Sequence, residues 1–280
     1  MTDWPRKGLI ALLTDFGERD WFVGAMKGVI LSIFPAARIV DISHQIPPGD
    51  LRSAAFHLSC YFRFFPKGTV HVVVVDPGVG TRRKIIAVQS GGRLFLAPDN
   101  GVLSYVLRRP GGKRIHAVKR RDLFLPEVSR TFHGRDIFAP VAALLAQGLS
   151  LSELGPKLLK PLLLPAPRLL RWGESGWKGE VVYVDWFGNV ITSISTACGT
   201  GIFKPVSGLE LEVFIASGRQ VIPLVETYRS LAPGTCMALW GSSGFLELAV
   251  SGGAAAGELG LQIGDEVAVR IVGPTAIRTK

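Results

Sequence analysis

Residues Thr69–Arg83, TVHVVVVDPGVGTRR, decide how the chain is read. The valine run is too short to span a membrane and rich in β-branched residues, so it predicts a buried central strand. Asp76 closes the run, and the chain turns through Pro77, Gly78 and Gly80 before reaching Arg82 and Arg83. A carboxylate at the carboxyl tip of a buried strand, followed by a glycine-rich turn and a guanidinium, sits where an open α/β sheet places its ligand. The plainer alternative is a turn whose Asp bonds its own backbone, common in Asp-Pro-Gly sequences.

The flanking sequence extends this pattern. Gly8–Leu13 is a short apolar strand that stops at the polar turn Thr14-Asp15-Phe16-Gly17. Trp21–Phe34 has helical spacing and is closed by Pro35. Arg38–Ile42 reads as a second strand, His44–Gly49 as a loop, and Asp50 as the N-cap of a helix reaching Phe64. Beyond the valine strand, Lys84–Gln89 and Arg93–Ala97 predict a hairpin, and Pro98–Gly101 a turn before a helix near Leu107. The segment RTFHGRD then leads through His133 into a helix over Ile137–Gln147. Strands alternating with helices imply an α/β domain over residues 1–155, with a central, mostly parallel sheet covered on both faces.

The texture changes after Gly155. Pro156, Pro161, Pro165 and Pro167 cannot continue a helix, so residues 156–177 are read as an interdomain linker. From Lys178 to residue 280, short strands separated by glycine dominate, which predicts a small all-β domain, a barrel-like fold or a sandwich. No internal repeat or low-complexity tract interrupts either part.

Composition narrows the functional classes. Hydrophobic residues make up 48% and charged residues 19%, enough apolar material for a sizeable core and against extensive disorder. The net charge of +10 raises nucleic acid as a partner. Its bearers are scattered, however, over Arg82–Lys84, Lys113–Arg121 and Arg168–Arg171, without a long run or interleaved aromatics. A basic solvated surface is the better reading, and no nucleic-acid partner is expected. Cys60, Cys198 and Cys236 are odd in number and far apart, which argues against a disulfide framework. The five histidines, His44, His57, His71, His116 and His133, lack metal-ligand spacing, so no metal is expected. Gly78-Val79-Gly80 lacks the third glycine of a dinucleotide fingerprint, and there is no Walker glycine-lysine pair. The leading MTDWPRKG has no apolar signal core, and the apolar segments Phe22–Phe34 and Leu158–Leu170 are broken by lysine or proline. A cytoplasmic protein without a membrane partner is the expectation.

Four places end a strand or open a turn with polar groups inside apolar flanks. They are Asp15 in LLTDFG, Asp76 in VVVVDPGVG, His133 in RTFHGRD, and Asp185 with Asn189 in YVDWFGNVIT. Any one alone is explained by a turn-capping side chain or a histidine satisfied by backbone. Together they put carboxylates and an imidazole at the mouths of sheets, where small molecules bind.

Six ordered motifs carry a resemblance across nearly the whole chain. They are TDFG (Thr14–Gly17), VDPGVGTRR (Val75–Arg83), PDNG (Pro98–Gly101), TFHGRDIFAP (Thr131–Pro140), DWFGNVITSI (Asp185–Ile194) and GSSGFLELAV (Gly241–Val250). In this order the sequence resembles the S-adenosyl-L-methionine hydroxide adenosyltransferase family, hydrolases related to the bacterial fluorinase and chlorinase. The resemblance implies an N-terminal α/β domain, a C-terminal β-barrel and a homotrimer with substrate at the subunit interface. It implies cleavage of S-adenosyl-L-methionine (SAM) to adenosine and L-methionine, with SAM as substrate and no cofactor.

By position, the resemblance makes Asp76, Arg83 and His133 the catalytic set. Asp15 becomes the partner of the ribose hydroxyls, with Asp76 beside it, and Glu247 the partner of the methionine ammonium. Asn189 and Ser242 become contacts from the second domain, and Val250 a backbone contact at the adenine. Trp186 stands where arginine is frequent in the family. The chemistry agrees: a sulfonium leaves as a neutral thioether and needs no acid, so the work is aiming and deprotonating a water. The alternatives are a halogenase on the same fold, which would need a dry halide pocket, a non-catalytic adenosine or SAM binder, and a nucleic-acid-binding barrel with salt-sensitive affinity.

Overall fold

The structure, a computed structural model, describes residues 8–195 and 209–274; Cys198 lies outside them. The chain forms two compact units, Met1–Leu164 and Pro165–Lys280. The boundary falls inside the proline-bearing stretch. Where that stretch still has backbone N–H groups, the first unit takes several of them. Leu158 donates to the Ile115 carbonyl, Leu162 to Asp99 Oδ1, and Leu164 to Ser104 Oγ, the last two at 2.8 Å.

The first unit runs β1 (Leu9–Thr14), α1 (Phe22–Ile33), β2 (Arg38–Ser43), α2 (Leu51–Tyr61), β3 (Val70–Val74), β4 (Ile85–Ser90), β5 (Arg93–Pro98), α3 (Ser104–Arg108), β6 (Lys113–Ala117) and α4 (Ala139–Gln147). Its six-stranded sheet has the order β2-β1-β3-β5-β4-β6. The first four strands in that order are parallel and β4 is antiparallel to both neighbours, so the sheet is mixed. The valine strand is buried along its whole length. Its alternation feeds two cores: Val70, Val72 and Val74 pack with Met26, Ile30 and the α4 residues, while Val73 and Val75 pack with Leu58, Val102 and Val106. Asp50 caps α2 as expected, its carboxylate accepting the Ser53 N–H at 3.0 Å. β6 was not foreseen, because its KRIHA sequence is only partly buried and carries no clean apolar alternation.

One buried group stands apart. His71, fully buried in β3, stacks on Phe95 with ring centroids 5.1 Å apart, and Tyr61, Phe62 and Phe65 surround it. Among the described residues, neither of its ring nitrogens nor the Tyr61 hydroxyl finds a hydrogen-bond partner.

The second unit contains β7 (Leu169–Trp172), β8 (Gly176–Val184), β9 (Val190–Ser195), β10 (Leu209–Ile215), β11 (Gly218–Val225), β12 (Cys236–Trp240), β13 (Phe245–Val250), a short helix α5 (Ala255–Leu259) and β14 (Glu266–Pro274). The strands order as β14-β10-β11-β12-β13-β9-β8, and β14 also pairs with β8, which closes a seven-stranded barrel. β7 pairs with β8, and β11–β12 is the one parallel pair among the described strands of this unit. Alternate residues such as Val181, Leu211, Val213, Leu248, Val267 and Val269 fill the interior. The α/β unit followed by a barrel is the architecture expected from the sequence.

Candidate active site

β1 and β3 are parallel neighbours with Thr14 opposite Val74, so both chains leave the sheet side by side. Asp15 and Asp76 therefore emerge at the same carboxyl edge. Asp15 Oδ2 accepts the Gly49 N–H at 2.8 Å. Burial pushes the Asp15 carboxyl above its ordinary value; the Gly49 bond opposes this, and the negative charge of Asp76 adds to it.

Asp76 is gripped by Arg83 from the turn that follows. Arg83 Nε lies 2.9 Å from Oδ1 and 2.8 Å from Oδ2, and Nη2 donates to Oδ2 as well. The same Nη2 donates to His133 Nδ1 at 2.9 Å. A guanidinium can only donate, so Nδ1 holds a lone pair and the neutral imidazole carries its proton on Nε2. Burial lowers the His133 pKa, and the Arg83 charge lowers it further, so the ring is neutral at neutral pH. The Asp76 side chain is 4% exposed and that of Arg83 11%. This is a largely desolvated cluster, in which each charge–dipole contact counts for more than in water.

Two local features bring the pieces together. Gly80 adopts φ +76°, and a Cβ there would lie 2.2 Å from the Arg130 carbonyl oxygen, so only glycine lets the turn meet the loop before His133. Buried Asp136 then accepts the Ser129 N–H at 2.8 Å and Arg135 Nε at 2.6 Å, which fixes the loop carrying His133. His133 itself caps a single π turn over Gly134–Phe138, a conformation found often at functional sites.

The second unit holds its own group. Asp185 Oδ1 accepts the N–H groups of Phe187 and Asn189, and Asn189 Nδ2 donates to Asp185 Oδ2 at 2.9 Å. That turn leaves Trp186 92% and Phe187 74% exposed. Glu247, on β13, is 5% exposed and accepts the Tyr228 hydroxyl at 2.6 Å. Its carboxylate lies so close over Gly241 that a Cβ there would be 1.6 Å from Oε1. Burial raises the Glu247 carboxyl above its ordinary value, and the charge of Asp185 acts in the same direction. Ser242 lies in the short link between β12 and β13, and the Val250 carbonyl at the end of β13 accepts the Gly253 N–H. Tyr228 was not singled out in the sequence; it sits in a loop whose ETYRS pattern gives no signal. Asp15, Asp76, Arg83 and His133 thus cluster in the first unit, and Asn189, Ser242, Glu247 and Val250 belong to the second.

Models for the two domains of one family match this chain in order. The SAM hydroxide adenosyltransferase N-terminal domain matches residues 10–155 and the C-terminal domain residues 179–268. The chain belongs to the SAM hydroxide adenosyltransferase family. It is 40% identical over 264 residues to the (R)-S-adenosyl-L-methionine hydrolase of Salinispora tropica, covering 93% of this chain and 97% of that protein. A fluorinase from an Actinoplanes species is 28% identical, covering 86% of this chain and 90% of its own length. An uncharacterized conserved protein from Thermotoga maritima superposes with a TM-score of 0.88 at 37% identity, over 93% of this chain and 99% of that one. For this family member, the described residues contain no group of three His, Cys, Asp or Glu side chains able to hold a metal, and no helix long and apolar enough to cross a membrane.

Proposed function

We propose that this chain is a SAM hydrolase, releasing adenosine and L-methionine by attack of water at C5′. The hydrogen-bonded trio of Asp76, Arg83 and His133 carries this reading. Asp76 Oδ1 takes one N–H from Arg83 and Oδ2 takes two, so Oδ1 keeps a lone pair for a water. As the water oxygen bonds C5′, the C5′–S pair leaves on sulfur as the neutral thioether of methionine. The proton is lost from an oxygen that has become strongly acidic, so a carboxylate already paired with arginine is base enough. The polar trio serves a water better than a halide, which favours hydrolysis over halogenation. Asp15 would hold the ribose hydroxyls. Asn189, Ser242 and the Val250 backbone would contact the nucleoside end, and the acidic pair Asp185 and Glu247 suits the methionine ammonium.

No metal or cofactor is required in this scheme, since the leaving group is neutral. Adenosine and methionine are expected to form from SAM in the presence of EDTA, detected chromatographically. Strict dependence on a divalent ion would overturn the scheme. The (R) sulfonium epimer, named in the Salinispora hydrolase, is the expected substrate.

We further propose a cytoplasmic homotrimer that joins first-unit residues of one subunit to second-unit residues of another. The exposed tip Trp186-Phe187 and the 61% exposed Trp21 supply apolar surface that an assembly would cover. Light scattering is expected to give three times the chain mass. A fully active monomer would exclude the arrangement.

A further inference from the structure

The end of β1 is joined to the loop after β2 by a buried latch that the reaction scheme above does not use. β1 and β2 pair with Leu12 opposite Asp41 and Leu13 opposite Ser43, so Ile42 is skipped. This bulge brings His44 level with Thr14, and both are buried, at 2% and 0% exposure. Thr14 Oγ1 lies 2.8 Å from His44 Nδ1 and accepts the Phe16 N–H at 3.3 Å. The hydroxyl keeps its proton to give to Nδ1; with that bond the ring proton sits on Nε2, which lies 3.0 Å from Asp41 Oδ1. Lys27, from α1, holds the other Asp41 oxygen at 2.5 Å. The backbone closes the same joint, because Gly17 N–H donates to the His44 carbonyl at 2.7 Å.

We propose that His44 is a positioning residue for Asp15. Between Thr14 and Gly17 lies Asp15, and between His44 and Asp50 lies Gly49, whose N–H holds the Asp15 carboxylate. Three cross-links fasten the first segment to the second, and two of them end on His44. Without the imidazole, only the Gly17 N–H bond to the His44 carbonyl still ties the 44–49 loop to the β1 end, and the Gly49 N–H is held less firmly on the carboxylate it orients. A carboxylate that must meet two ribose hydroxyls at once tolerates little such drift. The inference rests on the ribose-holding role given to Asp15 in the proposed function.

The test compares wild type with His44→Ala, Thr14→Val and His44→Asn, by calorimetric adenosine binding, steady-state and single-turnover hydrolysis of SAM, and amide hydrogen exchange at Gly49. His44→Ala is expected to weaken adenosine binding and raise KM roughly tenfold, while kcat is retained. The Gly49 amide should lose protection in the same variant. Thr14→Val, which breaks the latch from the other end with little change of shape, should reproduce both effects. His44→Asn, whose Oδ1 can accept the Thr14 hydroxyl, should recover most of the affinity. Unchanged affinity in folded His44→Ala and Thr14→Val would overturn the proposal, as would a loss of kcat with KM unchanged. Wild type that neither binds adenosine nor hydrolyses SAM, with Gly49 still deprotected in the variants, would overturn the role of Asp15 and leave the latch standing.

Discussion

Replacing Arg83 by alanine is expected to slow single-turnover hydrolysis of SAM by about 10²–10⁴-fold, while adenosine still binds. Arg83 contacts both Asp76 oxygens and supplies the donor to His133 Nδ1, so its loss disorganises three groups at once. The Asp76 side chain, 4% exposed, would be left as an unpaired buried charge. His133→Ala and Asp76→Ala should fall in the same range, and any double replacement should cost less than the sum, as for groups that act as a unit. Affinity should suffer less for Arg83→Ala and His133→Ala than for Asp15→Ala. Rapid-quench assays beside calorimetry decide the matter. Near-normal turnover in folded Arg83→Ala and His133→Ala would reduce both to structural caps.

The second large effect concerns stability in acid. Burial pushes the His71 pKa down to about 3, with the charge of Arg93 adding to it. The unfolded chain binds this proton below about pH 6.5, and the folded chain does not until about pH 3. Across that window the unfolded state holds more protons, so stability falls as pH falls, by about 1.4 kcal/mol per pH unit from this group. The whole interval is worth on the order of 4–5 kcal/mol, a large part of the margin of an ordinary domain. His71→Leu keeps the apolar packing against Phe95 and removes the proton site. Its stability advantage over wild type, from urea unfolding, should grow by about 3 kcal/mol between pH 6.5 and pH 4. Curves that stay parallel would assign the acid sensitivity elsewhere.

The sheet of the first unit was legible because its central strand is buried on both faces and needs no partner pattern to be noticed. The edge strand β6 was not, since Lys113 and Arg114 look like surface charge until Ser90 and Gln89 are seen beside them. The stretch 156–177 read as an interdomain linker from its prolines alone. Its fastening depends on Asp99 and Ser104, side chains about 60 positions away whose acceptor roles no local pattern reveals. In the site, Asp76 and Arg83 could be paired from seven residues of spacing, whereas bringing in His133 needed the family resemblance. The residues that hold the site left less trace. His44 was seen as a loop histidine and Tyr228 was passed over, because a skipped residue in a strand pair or a long-range hydroxyl bond has no periodicity to detect.

The closing seam of the barrel also sets an order of events in synthesis. β14 follows every other described strand in sequence, yet it bridges β8 and β10, so the cylinder lacks one of its staves until Pro274 has left the ribosome. The first unit has all its strands and helices before any of the barrel is made. It can fold as a nascent domain while the barrel strands wait with two unpaired edges. During that interval β8 and β10 offer open ladders to any neighbouring chain. Slow translation between β10 and β14 would lengthen the exposure, and chaperone demand should concentrate there.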